Sequence, residues 1–463
     1  MDGGEQRLER TLTLRGAVTL NLLDMIGMGP FITLPLLIGA MGGPQAMVGW
    51  VLGALLAACD GMVWAEPGAA MPEAGGTYAY LHEMYPGRVG RWLSFLFAFQ
   101  VLLSAPLSMA TGCVGMAEYA GAVVPVLAGH RVWVALASVV VAVAVQYRRL
   151  SGVKRVAQLL LVIVLATIAW AVVTGLWQGH WAQVVSVPAG AFRLDRGFFV
   201  GLASAMLFAT YDYWGYYNVT FLGGETKNPG RTIPRAVLLS IAIVGVLYLA
   251  LNASVLSVMG APGLMKAQTE GIRQAMLSEF IRMAYAPLVG VGAAAVLGKV
   301  AALLVIVTAF GSVFSLLLAY SRIPFAAARD GNFWRVFGRL HPTRGFPYVS
   351  LLVLGAVAGV CCFFSLKDLI AALVVVRIVM QFSLQHVGVM VLRKRRPEMK
   401  RPFRMWMYPL PPILALVGFA YIVFVRSGSA RELMIAAAVV VTGTVVFVAR
   451  SRMAKHRYPT HAQ

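Results

Sequence analysis

The stretch AVTLNLLDMIGMGPFITLPLLIGA, residues 17–40, is long and apolar enough to cross a bilayer, yet Gly27-Met28-Gly29-Pro30 falls at its midpoint. A spanning helix tolerates a break least there. Hydrocarbon offers no partner for freed amide and carbonyl groups, so non-helical backbone at that depth survives only where protein buries it or a polar cavity receives it. The arrangement recurs at 198–222, where Tyr211-Asp212-Tyr213-Trp214-Gly215 interrupts a second apolar run. Paired interruptions in the two halves of a membrane chain point to a solute site between them.

The 463 residues are 59% hydrophobic and 12% charged, and the mean hydropathy is +0.77. That composition excludes a water-soluble domain and indicates a polytopic membrane protein. A span needs about 20 mostly apolar residues. Twelve segments are candidates: 17–40, 45–67, 92–124, 131–147, 156–176, 198–222, 236–259, 289–320, 348–364, 368–392, 409–426 and 431–450. The third and eighth are overlong and are expected to tilt or project beyond the lipid. One transmembrane domain is expected to fill the chain: an N-terminal segment 1–16, a first repeat 17–177, a second repeat 197–392, two further helices within 408–450 and a tail 451–463. The first apolar stretch is too long and too broken for a signal peptide and reads as a retained helix.

The net charge of +21 could suggest nucleic acid, but its placement argues for a membrane instead. Most of the 39 lysines and arginines fall on the side of the chain's own N-terminus: Arg7, Arg10 and Arg15, Arg148 to Arg155, Lys227 to Arg235, the 321–347 connection, and the run from Arg393 to Arg404. The positive-inside rule therefore sets both termini in the cytoplasm of a plasma (inner) membrane protein. Arg393-Lys394-Arg395-Arg396 suits anionic lipid headgroups better than RNA.

Three connections, 68–91, 260–288 and 321–347, are long enough to hold structure of their own. The middle one mixes Met265, Ile272, Met276, Leu277, Phe280 and Ile281 with Glu270, Arg273, Glu279 and Arg282. That amphipathic pattern fits an outer-surface helix, either a lid or simple loop packing. Because a broken helix opens each half, five helices from each half would form an inverted repeat.

At Gly27 to Gly29 an unwound turn presents free amides and the positive end of the following half-helix, where a carboxylate fits. Glycine lets a ligand approach the backbone, and Pro30 suits the first turn of a new helix. The bland alternative is a Gly/Pro kink that only aids packing. Around the second break, carbonyls could accept from an ammonium, with Tyr211, Tyr213, Trp214, Tyr216 and Tyr217 as aromatic walls. Their central position argues against an interfacial belt.

Charge at the bilayer centre costs about 2.5 to 3.5 kcal/mol on insertion scales, so Asp24, Asp60, Glu66, Glu118 and Asp212 are functional candidates by default. Asp24 and Asp212, beside the two breaks, are the candidates for ammonium or proton binding. Asp60 and Glu66 are expected to pair with arginine or cap a helix, and Glu118 to be solvated. For Lys299, Arg377 and His386 a structural role is expected, with Lys299 snorkelling and Arg377 or His386 pairing with an acid. Cys59, Cys113, Cys361 and Cys362 fill apolar spans without metal-ligand spacing.

Four ordered stretches resemble the amino acid–polyamine–organocation superfamily of secondary carriers: IGMGPF at 26–31, EPGAAMPEAGGTYAYL at 66–81, GGETKNPGRTIPRA at 223–236 and SRIPFAAARDGNFW at 321–334. The similarity runs from about residue 17 to 450. It implies an all-α fold of about twelve transmembrane helices, a five-plus-five inverted repeat with discontinuous helices one and six, and two appended helices. It further implies alternating access around a central site. On this resemblance the substrate carboxylate rests on the amides of Gly27, Met28 and Gly29 beside Asp24 and Ile26. The amine lies near Ala209, Tyr211 and Asp212, and Trp214 or Tyr216 forms an aromatic gate.

The chain departs from related sequences in two places. Gly215-Tyr216-Tyr217-Asn218 lacks an acid that relatives often carry, and 156–176 contains no lysine of the kind that proton-coupled members use. Helix-eight hydroxyls of the kind that sodium-coupled relatives use are present as Thr308, Ser312 and Ser315. The coupling ion is therefore H+ or Na+, with protons preferred because Asp24 and Asp212 adjoin the breaks. The expectation is a proton-coupled carrier of amino acids that needs no cofactor, metal or nucleic acid. A polyamine or organic-cation carrier is the alternative within transport. A membrane nutrient sensor remains open; a membrane enzyme is disfavoured, because the seven scattered histidines form no catalytic or metal-binding constellation.

Overall fold

A computed structural model describes residues 10–147, 150–269, 275–426 and 428–457. Thr13 starts the first helix: its hydroxyl accepts the Gly16 amide, satisfying one of the donors that a helix start leaves free. α1 runs Leu14–Met25, a 3-10 turn covers Gly29–Phe31, and α2 runs Leu34–Met41. This first pair is bent by 55° across the break. There follow α3 (Met47–Ala70), α4 (Thr77–Met84), α5 (Gly87–Val123), α6 (Arg131–Gln146), α7 (Leu150–Gln178) and the short α8 (Ala182–Val185). Asp195 caps α9 (Arg196–Tyr213) by accepting the Phe198 amide at 2.9 Å. The chain leaves the helix at Trp214 and re-enters it as α10 (Asn218–Phe221).

The second half continues with α11 (Pro229–Thr269), α12 (Met276–Tyr320), α13 (Arg322–Arg329) and α14 (Tyr348–Cys361). α15 (Leu366–Arg377) passes through a π-helical turn, Ile378–Phe382, into α16 (Ser383–Arg395). α17 (Leu410–Phe424) and α18 (Ser429–Arg457) complete the bundle. A helix or an interrupted helix lies over each of the twelve expected segments. Among the described residues, eight helices are long and apolar enough to cross a membrane, or nine if α1 and α2 count as one bent span. α14 and α17 are apolar but shorter.

Packing explains the order of burial. α3 lies along α11, α5 along α12, and α1 is held between α11, α12 and α7. Most of the interior is one extended apolar cluster containing Trp50, Trp64, Phe31 and Phe314, with a smaller second cluster around Leu93, Val375, Met380 and Ala436. Facing outward are Leu55, Trp133, Val162, Val246, Val291 and Val417, all exposed. An apolar outer surface of this kind is what lipid covers.

Two boundaries differ from the sequence reading. α11 continues past 259 and α12 begins well before 289, each turning at a glycine in the left-handed region, Gly260 (φ 64°) and Gly290 (φ 80°). The amphipathic 260–287 stretch is thus two helical arms. Its Leu277, Phe280 and Ile281 are buried, while Glu270, Ile272 and Arg273 lie outside the described residues. Glu118, expected in solvent, has a side chain only 6% exposed, 3.8 Å from Arg131. The start of α6 folds back over it.

The remaining two long connections hold α4 and α13, and they meet at one end of the bundle. Isolated β-bridges tie Leu12 to Thr226 and Ala74 to Leu222, and the Gly75 amide donates to the Phe221 carbonyl at 3.0 Å. Three of the stretches singled out in the sequence, around 66–81, 223–236 and 321–334, therefore share this end.

Candidate substrate site

The two interruptions lie against each other. The first opens because α1 ends at Ile26, and its turn is closed by four bonds: Gly27 N–H to Met25 O (3.0 Å), Phe31 N–H to Met28 O (3.1 Å), and Ile32 and Thr33 N–H to Gly29 O (2.9 and 3.0 Å). The amides of Met28 and Gly29 take no part in these bonds. The second opens at Gly215, whose φ of 127° is a conformation that side chains disfavour.

Side chains of α1 tie the breaks together. Asn21 donates to the Tyr216 carbonyl (2.6 Å) and accepts the Val219 amide (3.1 Å). Asp24 Oδ2 accepts from Asn218 at 2.6 Å. The Tyr248 hydroxyl donates to the Met25 carbonyl at 2.5 Å and lies 3.2 Å from the Asp212 carbonyl, so one group holds the ends of both helices. Buried carbonyls freed by unwinding thus find partners inside the protein, as membrane depth requires.

Asp212 is buried and faces the first break. A Cβ placed on Gly29 would stand 1.8 Å from Asp212 Oδ1, so only glycine admits this carboxylate. Thr33 donates its hydroxyl proton to Oδ2, while Oδ1 has no hydrogen-bond partner. Ser312 closes the other side: its hydroxyl donates to the Asp24 carbonyl at 3.1 Å, and a Cβ on Gly27 would meet Ser312 Oγ at 2.6 Å.

Between the breaks lies a cavity of about 30 Å³ lined by Asp24, Met28, Gly29, Tyr211, Asp212, Trp214, Ser312 and Arg377, among others. That space admits water but no amino acid. A larger cavity of about 270 Å³ lies at the N-terminal end of α1, lined by Thr13, Arg15, Leu20, Gln158, Glu225 and Arg322 among others.

Of the residues expected at the site, Asp24, Gly27, Met28, Gly29, Tyr211, Asp212, Trp214 and Ser312 line this cavity together. Ile26, Ala209, Tyr216 and Thr308 do not. Ile26 is core, and Ala209 packs on Gly53. The Thr308 hydroxyl bonds its own helix at the Leu304 carbonyl, 2.9 Å. Tyr216 turns away and donates to Asp60.

Asp60 therefore does not pair with arginine. It accepts from the Trp64 indole at 3.1 Å and lies 3.0 Å from His386 Nε2. Glu66 does have arginine partners, Arg393 and Arg401, and also accepts the Met405 amide at 2.8 Å. Sequence reasoning passed over Asn21, Thr33 and Asn218, whose polarity within apolar spans was the available signal. It also gave Arg377 a structural role, whereas Arg377 lines the cavity.

Membrane-depth helices interrupted around a small polar cavity are the build of a solute carrier. The family profile described as "Amino acid permease" matches residues 12–448. The chain is 26% identical over 426 residues to the serine/threonine exchanger SteT of Bacillus subtilis (strain 168), covering 90% of each chain. It is 26% identical over 462 residues to the Asc-type amino acid transporter 1 of Mus musculus, covering 95% of this chain and 81% of the relative. The branched-chain amino acid permease BcaP of Bacillus subtilis (strain 168) is 25% identical over 443 residues, 91% of this chain and 89% of the relative. The chain belongs to the amino acid permease family and is a membrane transporter, not an enzyme.

Proposed function

We propose that this chain is a secondary active transporter that carries amino acids across the plasma membrane by alternating access, with its binding site at the paired breaks. The carrying observation is the juxtaposition of Asp212 and Gly29: a buried carboxylate oxygen without a partner faces an unwound turn whose Met28 and Gly29 amides close no bond of that turn. On this reading the substrate ammonium meets Asp212 and its carboxylate meets those amides, so each end of a zwitterion finds the opposite polarity.

Twelve helices then form a five-plus-five inverted repeat, 17–177 and 197–392, with helices eleven and twelve outside it. α1 with α2 and α9 with α10 are its discontinuous members. Both termini are cytoplasmic, in keeping with the positive-inside distribution. The cavity at the start of α1 is the inner vestibule, separated from the site by the length of α1. Asp24 and Asp212 carry the coupling proton. Exchange of one amino acid for another is the second reading, favoured by the likeness to a relative named as an exchanger.

Uptake of radiolabelled amino acids into proteoliposomes tests both. Accumulation driven by an imposed pH gradient supports coupling to protons. Uptake that requires preloaded internal amino acid supports exchange, and accumulation driven only by sodium overturns the proton assignment. Full uptake by Gly29→Val or Asp212→Asn variants would remove the site from the breaks.

A further inference from the structure

Most buried charges in this protein have a partner of opposite sign. Arg322 holds Glu225 at 2.9 Å, and Glu66 is gripped by Arg393 and Arg401. Arg377, only 3% exposed, has no carboxylate within 4 Å among the described residues. Its guanidinium reaches the Tyr217 hydroxyl at 3.2 Å and the Ser104 carbonyl at 3.5 Å, and its Nε has no partner.

The guanidinium lies 5.8 Å from the centre of the Trp214 ring and 5.0 Å from that of Tyr320. The Trp214 indole N–H is also buried without a partner. Trp214 is fixed in turn by Phe382, stacked on it at 4.6 Å and 13°. Two neighbouring unpartnered donors, one of them charged, line the same cavity as the unpartnered Asp212 oxygen. A buried donor left unpaired costs free energy, and a ligand acceptor recovers it.

Given the proposed site, we infer that Arg377, with Trp214 beside it, selects the substrate side chain: it favours one that carries an oxygen acceptor (carboxylate, amide or hydroxyl) and excludes one that carries a cation. A side-chain ammonium or guanidinium would enter against a fixed positive charge and leave both donors unpaired. Asp24 lines the same cavity with its Oδ2 turned to Asn218, and in the proposed site Asp212 is taken by the substrate's own ammonium. A polyamine, which has no acceptor for Arg377, is excluded on the same ground.

Competition tests the inference on the wild-type protein reconstituted in proteoliposomes, with serine, glutamine, glutamate, leucine, lysine, arginine and putrescine against a transported radiolabelled amino acid. At least one oxygen-bearing side chain should compete roughly 10-fold or more better than lysine or arginine, the scale of a charge-assisted hydrogen bond. Arg377→Gln, which removes the charge, should erase that ratio. Arg377→Lys should restore exclusion of cations but not the preference for oxygen. Wild-type preference for lysine, arginine or putrescine overturns the inference, and so does an unchanged ranking in Arg377→Gln. If that variant does not fold, the wild-type ranking alone decides. Transport of none of these compounds would overturn the amino acid reading itself, whereas amino acid transport without the oxygen preference overturns only the role of Arg377.

Discussion

Two regions of the bundle treat charge in opposite ways. Where the connections 71–76, 222–228 and 321–334 meet, buried charge is matched: Glu225 and Arg322 form a two-point contact at 2.9 and 3.4 Å, and Glu66 nearby is shared by two arginines. In the cavity between the breaks, Asp212 and Arg377 are buried, and among the described residues neither has an ionic partner within 4 Å. Matched pairs resist removal of one member, because the survivor is left charged and dry. Unmatched groups leave no counter-ion charged and dry when they are removed, so their loss should reach function before stability.

The largest effect should come from breaking a matched pair. Arg322→Ala is expected to destabilise the protein by about 3 to 5 kcal/mol, with the Glu225→Ala/Arg322→Ala double variant milder than the sum of the singles. Thermal unfolding in detergent measures it, and additive singles would mean that the contact carries nothing. Next, Gly29→Val places a side chain where Asp212 stands; transport should fall on the order of 100-fold while the protein still reaches the membrane. Retention of wild-type uptake would show that the close approach is incidental.

Asp212→Asn sharpens the contrast. It should cut transport roughly tenfold while leaving the melting temperature unchanged or higher, since a buried charge without a counter-ion is removed. A large drop in melting temperature would instead class Asp212 with the matched pairs. The smallest effect should be at Glu73, in the loop after α3. Partial burial, reinforced by the nearby carboxylates of Asp330 and Glu83, raises its pKa above the ordinary 4.5. A raised carboxyl binds protons more tightly in the folded state, so stability falls as pH climbs from the ordinary value through the raised one. Glu73→Gln should therefore stabilise slightly at neutral pH and flatten that slope. Melting curves across the acidic range report it, and parallel wild-type and variant curves would show no such linkage.

Both interruptions were legible because glycine and proline act locally: Gly27, Gly29, Pro30 and Gly215 disfavour helix whatever surrounds them. Their mutual approach was inferred from pairing alone, and Asn21 and Tyr248, which stitch them together, carry no local signal of the partners they meet almost 200 and more than 220 residues away. Asp60 illustrates the same limit. An acid near the end of a span suggests arginine, yet the helix that packs there presents His386. The extra lengths of α11 and α12 were missed because Gly260 and Gly290 read as loop boundaries, whereas each is a single left-handed residue that redirects a continuing helix. Arg377 looked structural because one arginine in an apolar run says nothing about what faces it.

The π-helical turn at Ile378–Phe382 determines which way that arginine faces. At about 100° per residue, nine steps of plain α-helix would set Arg377 and His386 on opposite sides of the rod. A widened turn absorbs one residue and brings them to within about 80° of each other, so both can look inward, one at the cavity and one at Asp60. Removing a single residue between 378 and 382 would leave eight steps of plain α-helix, again about 80°, so the two side chains would keep their inward facing without the widened turn.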